Sequence, residues 1–118
     1  MHLAEASALR LVAATTSVPV PKVYCAFRDE KSGNSYIVIQ MERIDGEHLG
    51  AKPWKKMSEE EREGIMGQLK SMWEDLRGIV PLRPGAVCAV DGGTLHDHRI
   101  FGAAGAKGMG PFETEAFC

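Results

Sequence analysis

Residues 15–27 read TTSVPVPKVYCAF, with two prolines, Pro19 and Pro21, one residue apart and a run of β-formers behind them. The residue before a proline is pushed out of the α region, so Val18 and Val20 are extended. The stretch therefore predicts a stiff connector, SVPVP, that feeds a strand, KVYCAF. On its N-terminal side, residues 3–14 read as a helix. Glu5, Leu9 and Val12 recur at i, i+4 and i+7 and share one face. Leu9 and Val12 are expected to be buried, which points Glu5 towards the same interior. Thr15, Thr16 and Ser17 weaken the helix and Pro19 ends it. Taken alone, a double-proline junction suits any passage from helix to strand.

On the C-terminal side, RDEKSGN (28–34) is charged and carries a Ser-Gly-Asn turn signal. SYIVIQMERI (35–44) follows, dense in β-branched and large apolar residues. The two runs predict a β-hairpin with a polar loop, its second strand ended by Asp45-Gly46. A loop with Pro53 and Trp54 then leads to Ser58. EEEREGIMGQLKSMWEDLR (59–77) predicts the longest helix. Ser58 and Glu61 make a capping box, and the acidic first turn suits the positive end of the helix dipole. Ile65, Leu69, Met72, Leu76 and Ile79 form an apolar stripe flanked by Met66 and Trp73. That stripe reads as core packing, and Gly78 as the stop.

Past Ile79 the chain turns rich in glycine and proline. Asp91-Gly92-Gly93 suggests a small hairpin between AVCAV and TLHDH. Residues 102–110 read as a glycine loop, and Glu113 onward as the first turn of a helix. GAAGAKGMG fits neither G-x-G-x-x-G nor G-x-x-x-x-G-K-[ST], and no strand runs directly into it, so it reads as a flexible loop. His96, Asp97 and His98 are adjacent on an extended segment, where neighbours face opposite sides. No further ligand cluster accompanies them, so a surface role is expected rather than a metal. No serine or cysteine sits in a nucleophile elbow, and no acid–base pair follows from spacing.

The chain has 118 residues, 44% hydrophobic and 25% charged, with net charge −2. One domain at most fits that length. Without a basic block, nothing favours nucleic acid or an anionic membrane surface. No apolar run approaches the ~20 residues of a membrane span, and the N-terminus lacks the pattern of a secretory signal. Cys25, Cys88 and Cys118 are odd in number and widely spaced, which gives no disulfide framework and no metal knuckle. A reducing, cytoplasmic setting is expected.

Together the pieces resemble the aminoglycoside phosphotransferase family, which has a protein-kinase-like fold, and its fungal members in particular. The matching runs are E-x-x-x-L-x-x-V-x-x-x-T-S-V-P-V-P-K-V-Y, Y-I-V-I-Q-M-E-R-I-D-G-E-H-L and W-x-x-M-S-E-E-E-R-E-x-I-x-x-Q-L-x-x-M-W-x-x-L-R. V-D-G-G-x-L-x-D-H-R-I-F-G and G-P-F-E-T-E-A-F fit too. The likeness implies a partial kinase-like α+β fold. Residues 1–46 would be the N-lobe helix and hinge hairpin, and 47–118 the start of the C-lobe. Glu5 would take the place of the helix glutamate that pairs with a strand lysine orienting the ATP phosphates. Met41 falls at the gatekeeper position. Glu42 to Ile44 would be the hinge, with the Glu42 carbonyl and the Ile44 amide facing adenine.

The likeness also implies ATP and magnesium as cofactors and a small-molecule hydroxyl as substrate. It places the lysine strand upstream of Met1 and the H-x-D-x-x-x-x-N catalytic loop downstream of Cys118. Neither lies within the chain, so no catalytic residue is assigned and the chain alone is expected to be inactive. The alternative is a non-catalytic interaction or regulatory module of the same fold, binding a protein partner through exposed apolar surface.

Overall fold

The computed structural model describes residues 3–81, 83–95 and 110–113. It is a mixed α+β arrangement of three helices and one two-stranded antiparallel sheet among those residues. Helix α1 spans Leu3–Thr15. Its end is written in hydroxyls. Thr15 and Thr16 donate to the carbonyls of Leu11 and Val12, at 2.6 and 2.8 Å. The Thr16 hydroxyl then accepts the Val18 amide at 3.2 Å, which turns the backbone out of the helix. Residues 16–22 are irregular, as the prolines require, and strand β1 follows at Val23–Lys31.

Strand β2 spans Asn34–Met41 and pairs with β1 from Lys31↔Asn34 to Val23↔Met41. The register slips between Val23 and Cys25, leaving Tyr24 as an extra residue in β1. The polar loop expected over 28–34 is instead a two-residue turn. Ser32 and Gly33 have φ of 52° and 77°, the positive values that a tight type I′ hairpin requires. Arg28 to Lys31 therefore remain in the strand. Lys31 and Asp29, two apart and on one face, form a 3.1 Å ion pair. The second strand also stops at Met41, short of the expected Ile44, because proline-bearing backbone offers it no further ladder partner beyond Lys22.

Two expectations downstream are corrected. The loop expected before Ser58 contains a helix, α2, at Ala51–Lys56. Pro53 is tolerated there because the first turn of a helix has no intrahelical partner for its amides. Helix α3, Glu59–Arg77, forms with the full capping box, Ser58 Oγ accepting from the Glu61 amide at 3.2 Å and Glu61 Oε2 from the Ser58 amide at 3.1 Å. Gly78 stands at its C-cap with φ −79°, right-handed rather than left-handed. The apolar stripe of α3 is present, but no residue of the helix is buried. It is not the packed core that its periodicity suggests.

Where burial does occur, it is in α1 against the hairpin. Helix α1 packs on both strands, and Ala6, 2% exposed, is the single buried hydrophobic among the described residues. The radius of gyration is 17.6 Å, against roughly 13–14 Å for a compact domain of this length. Of the small hairpin expected around Asp91-Gly92-Gly93, the turn lies among the described residues, while His96 to His98 of its second arm lie outside them. Ala89 and Gly93, and Ala89 and Gly92, are joined by backbone bonds of 3.0 and 2.9 Å, while Val87 pairs with Phe112 instead. The glycine loop at 102–109, the His96–His98 run and the helical turn after Glu113 lie outside the described residues. No helix among the described residues is long and apolar enough to cross a membrane.

Candidate functional site

The candidate site is the corner where β2 ends. Pro19 and Pro21 have no amide hydrogen, so Lys22 carries the first amide after both of them. It donates to Glu42 Oε2 at 3.2 Å, and the Glu42 amide donates back to the Lys22 carbonyl at 2.8 Å. The last strand pair is thus closed by one backbone bond and one carboxylate. This two-point lock fixes the segment leaving β2 to the end of the proline connector. Behind the corner, the Lys22 ammonium lies 5.9 Å from the centre of the Tyr24 ring.

The lock uses the amide and the carboxylate of Glu42 and leaves its carbonyl. Among the described residues, neither the Glu42 carbonyl nor the Ile44 amide takes a hydrogen bond. One acceptor and one donor, two residues apart along the chain, can meet the edge of a planar heterocycle. Ile44 is 63% exposed, and a shallow hollow of about 220 Å³ runs along Ile44, Gly46, Glu47 and His48. Met41, the last residue of β2, is half-buried beside the corner.

Glu5 sits elsewhere in character. It lies in the first turn of α1 and is exposed, while Leu9 and Val12 are half-buried. The inward direction expected from their shared face is therefore not realised for the carboxylate. The Glu5 side chain has no hydrogen bond or ion pair among the described residues, to Met41, Glu42, Ile44 or any other. Met41, Glu42 and Ile44 are neighbours along the chain, and Glu5 lies on another element, α1. The carboxylate lock on Lys22 had no signal in the sequence, because it joins residues twenty apart through a side chain.

No group of three or more His, Cys, Asp or Glu side chains among the described residues could hold a metal ion. No family model matches the chain, and neither do any curated proteins or solved structures.

Proposed function

We propose that the chain forms the central part of a kinase-like phosphotransferase domain of the aminoglycoside phosphotransferase type. In that reading α1 is the glutamate-bearing helix and β1–β2 the hinge hairpin. Residues 42–44 are the edge that holds the adenine of ATP, and α3 opens the C-lobe. The reaction served is transfer of a phosphoryl group to the hydroxyl of a small molecule. One observation carries the reading: a helix laid on a hairpin whose second strand runs into a backbone corner where, among the described residues, the Glu42 carbonyl and the Ile44 amide take no hydrogen bond. Positioning and charge neutralisation account for most of phosphoryl-transfer catalysis. No lysine precedes α1 and no H-x-D-x-x-x-x-N run occurs within the 118 residues.

The test has two parts. Adenosine and ATP are titrated into isotopically labelled protein and the backbone amide shifts are followed. Shifts centred on residues 41–48 are expected, and Ile44→Pro, which removes the donor, should abolish them. An absence of shifts there at millimolar ligand sinks the hinge assignment. Separately, the 118-residue chain with ATP, magnesium and a panel of hydroxylated small molecules should give no phosphorylated product above background.

A second reading, an interaction module of the same fold, is favoured by one separate observation. Met66, Leu69, Trp73 and Leu76 all lie exposed on α3, a concentration of apolar surface that ordinary scattered exposure does not produce.

A further inference from the structure

Helix α1 packs on both strands, and α3 makes no comparable packing with any of the three. Among the described residues, one hydrogen bond joins α3 to the chain before residue 50, and no ion pair does. It runs from the Ser17 hydroxyl to Asp75 Oδ2, at 2.7 Å. Ser17 opens the proline connector, and Lys22 closes it. There the Lys22 amide donates to Glu42 Oε2 at 3.2 Å and the Lys22 carbonyl accepts from the Glu42 amide at 2.8 Å. One short segment thus holds α3 at one end and the corner after β2 at the other.

Val18, Pro19, Val20 and Pro21 lie between the two ends. Each proline fixes its own φ and keeps the valine before it out of the α region. An extended chain with prolines advances ~3.1 Å per residue, so the steps from Ser17 to Lys22 span roughly 15 Å. Val18, Val20 and Pro21 are half-buried, and Val20 and Pro21 share a hollow with Leu9, Ala13 and Ala14 of α1. The segment is therefore braced along one side. The Thr16 hydroxyl, which accepts the Val18 amide at 3.2 Å, sets the direction in which it leaves the helix.

We propose that residues 17–22 are a strut that sets the position of the 42–44 edge relative to α3, with Ser17 and Glu42 as the positioning residues at its ends. What the edge binds rests on the kinase-like reading; the spacing does not. The prolines explain why a side chain is needed at residue 42. They leave Lys22 as the first amide after both, and a glutamate is long enough to reach it. In the kinase-like reading α3 opens the C-lobe, so the strut fixes the base-holding edge against the first helix of the other lobe. Reactions between groups held apart in this way are sensitive to placement, since an error of ~1 Å can cost about 100-fold in rate.

Residual dipolar couplings of the isotopically labelled 118-residue chain test the strut. Amides of β1–β2 and of α3 should fit one alignment tensor in the wild-type chain. Ser17→Ala, Asp75→Ala and the double change Pro19→Gly, Pro21→Gly should each split them into two, with the couplings inside each element unchanged. Ser17→Thr keeps the hydroxyl and should keep the single tensor. At the other end, Glu42→Ala should speed exchange of the Lys22 amide about tenfold, the loss of one hydrogen bond to a charged group. Glu42→Gln keeps an oxygen at the same reach and should recover most of that protection, which an effect of charge alone would not allow. Two tensors in the wild-type chain overturn the proposal. So does a single tensor in Ser17→Ala, or a Lys22 amide that exchanges alike in wild type and Glu42→Ala. With the expected tensors and exchange but no adenosine shifts at residues 41–48, the hinge assignment falls and the strut stands.

Discussion

The α1–hairpin unit and helix α3 have opposite sources of order. The first owes its arrangement to tertiary packing. Helix α1 lies on both strands, the ladder runs without a break from Lys31↔Asn34 to Cys25↔Gln40, and the one buried hydrophobic among the described residues, Ala6, is there. Helix α3 owes its order to itself. It has nineteen residues, a complete capping box and no buried side chain. A helix of that length with a good cap can persist with little packing, although most helical stability in proteins comes from an amphipathic face that is covered. Amphipathic periodicity thus states that a face wants covering. It does not state that the same chain covers it.

The largest effect that follows is at Ala6. A bulky side chain there has to displace its surroundings, and overpacking of this kind costs about 1–3 kcal/mol. Ala6→Leu should lower the urea midpoint of the α1–hairpin unit and speed amide exchange in residues 23–41. The amides of residues 63–77 should exchange as before. Equal loss of protection in both regions would mean that they unfold as one, and the contrast between them would collapse.

Ser58→Ala tests the other side. Loss of the N-cap costs about 1 kcal/mol of helix stability. The loss should appear as faster exchange at the start of α3, with β1 and β2 untouched. Ser58→Asp should restore most of it, since aspartate caps as well as serine does. Combined with Ala6→Leu, the two changes should add, as changes at sites with no shared partners do. The exposed hydrogen bond between Ser17 and Asp75 is the path through which a departure from additivity would come.

What was legible in the sequence follows the same division. Helices α1 and α3 and the capping box depend on residues within one or two turns of one another, and their bounds agree with the spacing to within a residue. The elements that were missed depend on distant partners. Helix α2 has six residues and an N-cap, Gly50, with no side chain to cap it. It is held by Arg62, whose guanidinium reaches back to the Trp54 and Lys55 carbonyls and lies 5.8 Å from the Trp54 ring. Nothing within residues 51–56 announces that contact. β2 ends three residues before the apolar run does, for a related reason. Apolar content carries on to Ile44, but pairing is limited by the opposite strand, where the prolines remove donors. At the candidate site, Met41, Glu42 and Ile44 were found as neighbours in sequence, while the lock that positions them was not.

The smallest expected effect is at Glu5, and it separates the two regions at a single residue. Spacing with Leu9 and Val12 turned this carboxylate inward, yet it is exposed in the first turn of α1. Being in water, it bears no desolvation cost. Being unpaired among the described residues, it has no attraction to lose. What is left is the favourable placement of a negative charge near a helix N-terminus, a few tenths of a kcal/mol at an exposed site. Glu5→Gln should therefore shift stability by no more than about 0.5 kcal/mol, the range of an ordinary surface change, and the shift should shrink further in salt as screening grows. A denaturant melt at low and high ionic strength reads both quantities. A loss well beyond that range, insensitive to salt, would mean that Glu5 is held by a partner in the folded chain. Helix α1 would then meet the rest of the molecule through its polar first turn as well as through Ala6.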